Sequence, residues 1–239
     1  MRNTIPWRFL ASVALALTLL VAISTPAVAA TYNFYCISSA DQCTPNLGNQ
    51  LSVTVTDEGS GKVGFKFTNI GSVASFIEAI YFDDGTLLGI ASVENSIGVK
   101  FTQDSLNKVS PPDLPGGDTI IPKFDVTAGF SADADSPGTN KDGVDNYAGS
   151  DPTQAEWVKI TFNLINGKTY ADTINALALG GAPGGLRIGL HVQGIAPNGK
   201  SAAYVNIVPE PGFYGLLSMG LAGLYFAVVR RRKRESPSA

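Results

Sequence analysis

An antiparallel two-sheet β-sandwich is predicted for the central part of this chain, on three observations. Apolar and polar residues alternate over several short runs, turn residues separate those runs, and only one stretch has helical spacing. The clearest runs set Leu51, Val53 and Val55 against Ser52, Thr54 and Thr56, and Val63, Phe65 and Phe67 against Lys62, Gly64 and Lys66. The pattern returns in Ile160, Phe162 and Leu164 and in Leu186, Ile188, Leu190 and Val192, the latter alternating with Arg187, Gly189, His191 and Gln193. Less regular strands are expected over 76–82, 87–93, 97–102, 120–127 and 203–207, which brings the total to about nine. One apolar and one polar face per strand, with turns such as Asp84-Gly85 and Asn166-Gly167, favours antiparallel sheets over a parallel α/β arrangement.

One short helix interrupts the strands. Thr169 is placed to cap its N-terminus with Asp172 three residues on, Ile174, Leu177 and Ala178 form one apolar face, and Gly180-Gly181 stops it. Such a helix can close an open end of the sandwich. Residues 111–117, Pro-Pro-Asp-Leu-Pro-Gly-Gly, read as a loop.

The two ends of the chain differ sharply from this domain. Arg2 and Arg8 flank a polar start, residues 9–23 are apolar, and Ala27-Val28-Ala29 offers small residues for signal peptidase, so residues 1–30 read as a secretory signal peptide. No Arg-Arg pair occurs there, which excludes a twin-arginine signal. At the other end stand Pro209, Glu210 and Pro211, then 18 uncharged residues over 212–229, then Arg230, Arg231, Arg232, Lys233 and Arg234, followed by a short tail over 235–239. As a helix the uncharged run is about 27 Å long, enough for the hydrocarbon layer of a bilayer. Five consecutive cations favour the cytoplasmic side, so residues 31–208 are expected outside and the tail inside. Both prolines fix φ and lack an N–H, and Pro211 disfavours the helical region at Glu210, so the tripeptide is expected as an extended strip that a protease can grip.

This order of parts resembles the PEP-CTERM sorting signal of Gram-negative bacteria, carried here by the literal Pro209-Glu210-Pro211, the Gly-rich apolar run and the terminal Arg cluster. The resemblance implies recognition by exosortase, an integral membrane enzyme that cuts at or near the tripeptide and releases or transfers the outer domain. A GPI signal ends in its apolar tail, and the Leu-Pro-x-Thr-Gly motif of Gram-positive wall sorting is missing. Residues 157–162, a short helix, residues 186–194 and a Ser-bearing final strand also resemble the β-rich outer domain found in many PEP-CTERM proteins. That likeness implies an all-β fold and a location at the cell surface, in an exopolysaccharide-associated envelope or biofilm, but no chemistry.

Charge divides along the same lines. Of 17 cations and 20 acids, residues 31–208 hold ten and 18, a net charge of −8 against −3 for the whole chain. Such a domain lacks the basic footprint of a nucleic-acid partner or of an anionic lipid surface. Cys36 and Cys43 are the two cysteines, both in the exported part, and a disulfide closing this small loop is expected outside the cytoplasm. Zinc needs two further ligands, and the single histidine, His191, lies far off in sequence.

For catalysis the sequence offers little. His191 is expected on the outward face of a strand, and Ser201 or an aspartate could complete a triad, but no nucleophile elbow is present. Asp57-Glu58 and Asp83-Asp84 both sit at turns before glycine, where acids are common. Asp133, Asp135, Asp142 and Asp145 supply the hard oxygen ligands that calcium takes, although Pro137 and Val144 exclude an EF-hand; a polar loop whose residues satisfy their own backbone is the alternative. The expected protein is therefore not an enzyme but a non-catalytic structural component, with a carbohydrate-binding or adhesive module, calcium-dependent or not, as the second reading. Tyr32, Phe34, Tyr35, Tyr147 and Tyr204 are the aromatics that could build a sugar platform.

The position of the Arg230–Arg234 cluster predicts the topology of the precursor. A reporter fused after Ala239 should be active only in a cytoplasm-specific form; activity of a periplasm-specific fusion would overturn the orientation.

Overall fold

Every regular run of alternating residues becomes a strand, and all the strands pair antiparallel. The computed structural model describes residues 29–104, 109, 111–132 and 142–208. Among them β2 (Leu51–Gly59), β3 (Lys62–Asn69), β5 (Leu88–Asn95) and β9 (Trp157–Leu164) form one half of the sheet. The other half contains β4 (Phe76–Asp83), β6 (Phe101–Asp104), β7 (Ala128–Ala132), β8 (Val144–Asp145), β10 (Arg187–Ile195) and β11 (Lys200–Asn206). The predicted all-β class is correct, but these are not two separate sheets.

Strand β1 (Ala30–Cys36) joins the halves. Its residues Ala30–Asn33 pair with β2, and Phe34–Cys36 pair with β11, giving one eleven-stranded sheet in the order β5-β9-β3-β2-β1-β11-β10-β4-β7-β6, with β8 on β4. The sheet bends back until its two end strands meet. Asn95 on β5 donates from Nδ2 to the Phe101 carbonyl at 3.0 Å and accepts the Phe101 N–H at 3.0 Å, so one side chain imitates a strand pairing across the seam.

The core lies between the facing halves. Phe82 on β4 packs edge-on against Phe65, Phe67 and Phe162 from the opposite half and against Phe130 beside it, at centroid separations of 5.1, 6.2, 4.9 and 5.9 Å. Edge-to-face rings put the positive rim of one on the negative face of the next, a gain beyond burial alone. Valines and isoleucines at alternate positions of β2, β9 and β10 complete the layer, all fully buried.

Two expected elements take another form. Residues 120–127 are not a strand: Ile120, Phe124 and Val126 have period two, but the segment lies across the outer face of β4, β10 and β11 together with Val109 and Leu114. It makes a second, smaller core with Ala79, Tyr81, Ala203 and Val205, so this half of the sheet is buried on both faces. Leu114 approaches β10 so closely that a Cβ at Gly189 would lie 2.6 Å from it. Burial beneath this cover raises the Tyr81 hydroxyl pKa, and that hydroxyl donates to the Pro111 carbonyl at 2.7 Å. The strand expected over 97–102 starts instead at Phe101, because residues 96–99 turn between β5 and β6.

Thr169 caps the Tyr170–Leu179 helix in a full capping box with Asp172, and Gly180 ends it at a φ of 55°, as the sequence predicts. The buried face is Thr173, Ala176 and Leu177 rather than Ile174, Leu177 and Ala178. Ile174 still packs partly against the core.

Phe82→Ala removes the ring shared by both halves and should cost about 3–5 kcal/mol, while Thr169→Ala, which removes only a cap, should cost about 1 kcal/mol. Urea unfolding of the two variants checks the ratio; equal losses would contradict the central place given to Phe82.

Candidate functional site

A groove of about 630 Å³ lies between the helix, the β4–β5 turn and residues Pro122 and Lys123. Its position follows from local chain chemistry. After Gly180 the chain turns tightly, with the Gly185 N–H bonded to Ala182 O at 2.8 Å and the Leu186 N–H to Ala176 O at 2.9 Å, and so delivers Arg187 to the start of β10. Arg187 is buried and holds three separate parts together. Its Nε donates to Asp83 Oδ2 at 3.0 Å, Nη1 to Pro122 O at 2.6 Å and Nη2 to Lys123 O at 2.5 Å, while the guanidinium lies 5.1 Å from the Phe124 ring centroid. Asp84, also buried, accepts the Leu88 N–H at 2.5 Å and the Thr127 hydroxyl. Both acids expected at this turn are therefore used to hold the cover segment and the β4–β5 connection.

The remaining polar groups of the groove are Thr86, Lys123, Lys168, Asp172 and Asn175, and none of its lining residues is aromatic. Lys123 pairs with Asp118 at 2.7 Å, and the Asp172 carboxylate accepts the Thr169 N–H at 2.8 Å. The arrangement offers a polar surface with scattered charge rather than a converging set of reactive groups.

His191 lies on the outward face of β10, as expected, but is buried rather than exposed. Its Nδ1 is 2.8 Å from Glu78 Oε2 without the alignment of a hydrogen bond, and Gln193 Nε2 donates to the same oxygen. Glu78 reaches them because β4 is irregular here: Ala79 pairs with His191 and Ile77 with Val192, leaving Glu78 between them.

The expected disulfide is present: Cys36 at the end of β1 is bonded to Cys43. Pro209, Glu210, Pro211, the 212–229 run and Arg230–Arg234 lie outside the described residues, as do Asp133 and Asp135 and all but the last two residues of the 1–30 segment. Of the remaining calcium candidates, Asp142 is buried and pairs with Lys100 at 3.1 Å, and Asp145 lies on β8 with its N–H donated to Glu156 Oε2 at 2.8 Å. Among the described residues no group of three or more His, Cys, Asp or Glu is placed to hold a metal. The aromatics do not form a platform, because Tyr32, Phe34 and Tyr204 point into the core.

Among the described residues no helix is long and apolar enough to cross a membrane. Comparison with family models, with curated proteins and with solved structures finds no match in any of the three.

Sequence reasoning passed over Arg187, the residue that builds the groove. A lone arginine on the polar face of an otherwise apolar strand, with acids at a distant turn, was the available signal. Arg187→Met leaves Asp83 without its partner in a largely buried position and should cost about 3 kcal/mol. Urea unfolding, with amide exchange at residues 123–126, checks this; unchanged stability and protection would mean that the hub is not needed to hold the cover.

Proposed function

We propose that this chain is an exported, non-catalytic structural protein that exosortase sorts and processes through its C-terminal signal. The observation that carries the reading is the order Pro209-Glu210-Pro211, 18 uncharged residues and five cations, in which each part has its own physical task. Signal peptidase first removes residues 1–30. The 212–229 run then holds the precursor in the inner membrane with residues 31–208 outside, and exosortase cuts beside the tripeptide. The released domain joins the cell surface or an exopolysaccharide matrix, as part of an envelope or biofilm.

Several features support a domain built for life outside the cell. The Cys36–Cys43 bond ties down the strand that begins the mature chain. The two halves of the sheet act as the layers of a sandwich around a continuous aromatic core, and the net charge of −8 over residues 31–208 favours solubility. The last described strand ends at Asn206, three residues before Pro209, so cleavage at the tripeptide leaves every described strand intact. The carbohydrate-binding reading has weaker support, since the groove has no aromatic lining.

Replacing Pro209-Glu210-Pro211 by three alanines tests the proposal, because the span and the cations that stop the chain remain. The variant should accumulate as an unprocessed, membrane-embedded precursor on immunoblots of cell fractions. Release at the normal rate would refute exosortase recognition.

A further inference from the structure

A second hollow, of about 180 Å³, opens beside Val208 and is lined by Tyr35, Ile121, Ala182, Val205 and Val208 together with Arg187 and Asn206. Ile121 is 99% exposed, and Tyr35, Leu179 and Ile207 are 46%, 51% and 42% exposed. Single exposed apolar residues need no explanation; here Tyr35 and Ile121 line one hollow, and Leu179 and Ile207 adjoin Gly180 and Val208, which pack against each other beside it.

The chain leaves the fold at this hollow. The Ile207 N–H is bonded to Asn33 O at 2.8 Å, which fixes the exit beside β1, and Val208 rests against Gly180, where an added Cβ would lie 2.6 Å from its Cγ2. The uncharged run begins at Gly212, four residues beyond Val208, so the connection can extend at most about 14 Å. Once that run crosses a bilayer, the apolar rim is confined to the immediate neighbourhood of the membrane surface.

We propose that Tyr35, Ile121, Leu179 and Ile207 seat the domain on the headgroup–acyl boundary of the leaflet on its own side of the membrane, an inference that rests on the anchored-precursor reading above. Large aliphatic side chains and a tyrosine suit that boundary, where apolar bodies enter the acyl region and a phenol stays wet. The contact is apolar rather than electrostatic, because a domain with a net charge of −8 gains nothing from anionic lipids. Seating fixes the orientation of the domain and keeps Pro209-Glu210-Pro211 at the interface, within reach of an enzyme embedded in the bilayer. After cleavage the short connection is gone, and a contact of four side chains no longer has the high local concentration that the anchor provided.

The test uses the full chain, with residue 121 changed to cysteine and labelled with an environment-sensitive fluorophore; the native cysteines are bonded to each other and do not react. The labelled protein is reconstituted into phosphatidylcholine vesicles with and without brominated acyl chains. Ile97→Cys serves as the control, since Ile97 is equally exposed at 99% but lies in the β5–β6 turn at the other end of the sheet. The probe at 121 should emit at shorter wavelength than the one at 97 and lose most of its intensity to brominated lipid, Ile207→Cys should behave like it, and the control should not change. Carbonate extraction of the same vesicles reads the anchor separately. A chain that resists extraction while its probe at 121 is unquenched would overturn this inference alone and leave the rim to a protein partner. A chain that carbonate releases would remove the anchored-precursor reading, and this inference with it.

Discussion

Strand β1 hydrogen-bonds to β2 through its first four residues and to β11 through its last three, and the shape of the domain depends on that change of partner. Without it the two halves of the sheet would be held by side-chain packing across the core, by the Asn95–Phe101 bonds and by the backbone bonds of Tyr147 with Asn69 and Gly71 at the opposite end. With it the backbone ladder is continuous from β5 to β6, and Asn95 closes most of the remaining gap. The strand is secured along its length: the Asn33 amide donates to Asn49 O and Leu51 O, Phe34 is buried, and Cys36 is bonded to Cys43. For a strand that starts where signal peptidase is proposed to cut, such fixing prevents the fraying expected of a free end.

The same strand accounts for the polarity of the domain. Because β11 runs antiparallel beside β1, the described chain begins and ends at the same end of the sheet, where the helix and the Arg187 hub also lie. A chain that is proposed to enter export through one membrane segment and to stop through another needs both connections on one side. The opposite end is organised differently, by a buried amide network in which Gln50 bonds Asn69 and Val73 and Asn69 bonds Ser75, holding β8 near the core without charge.

Much of this was legible from residue types alone, where local pattern and tertiary burial agree. The runs at 51–56, 62–67 and 157–164 have one core face, and the run at 186–193 sets polar or small residues between its core positions, so period two identifies all four, and Thr169 with Asp172 marks a helix start through backbone hydrogen bonds that need no tertiary context. Strand β1 was missed because Tyr32 and Phe34 alternate over too few residues and read as surface aromatics. The cover over 109–126 was missed for a different reason. Nearly every residue of 76–82 is apolar, which signals burial on both faces, but the sequence does not say that an irregular segment rather than a helix or a second sheet supplies the outer layer. The expectation for His191 is also reversed, since it points outward and is nonetheless buried.

The proposed processing turns on one covalent event, cleavage beside the tripeptide that separates a completed sheet from an apolar run. Mass spectrometry of the mature, exported protein measures it directly by reading the C-terminal residue. A terminus within or next to Pro209-Glu210-Pro211, with no peptide from 212–239, is the predicted result. An exported protein that still ends at Ala239 would contradict it.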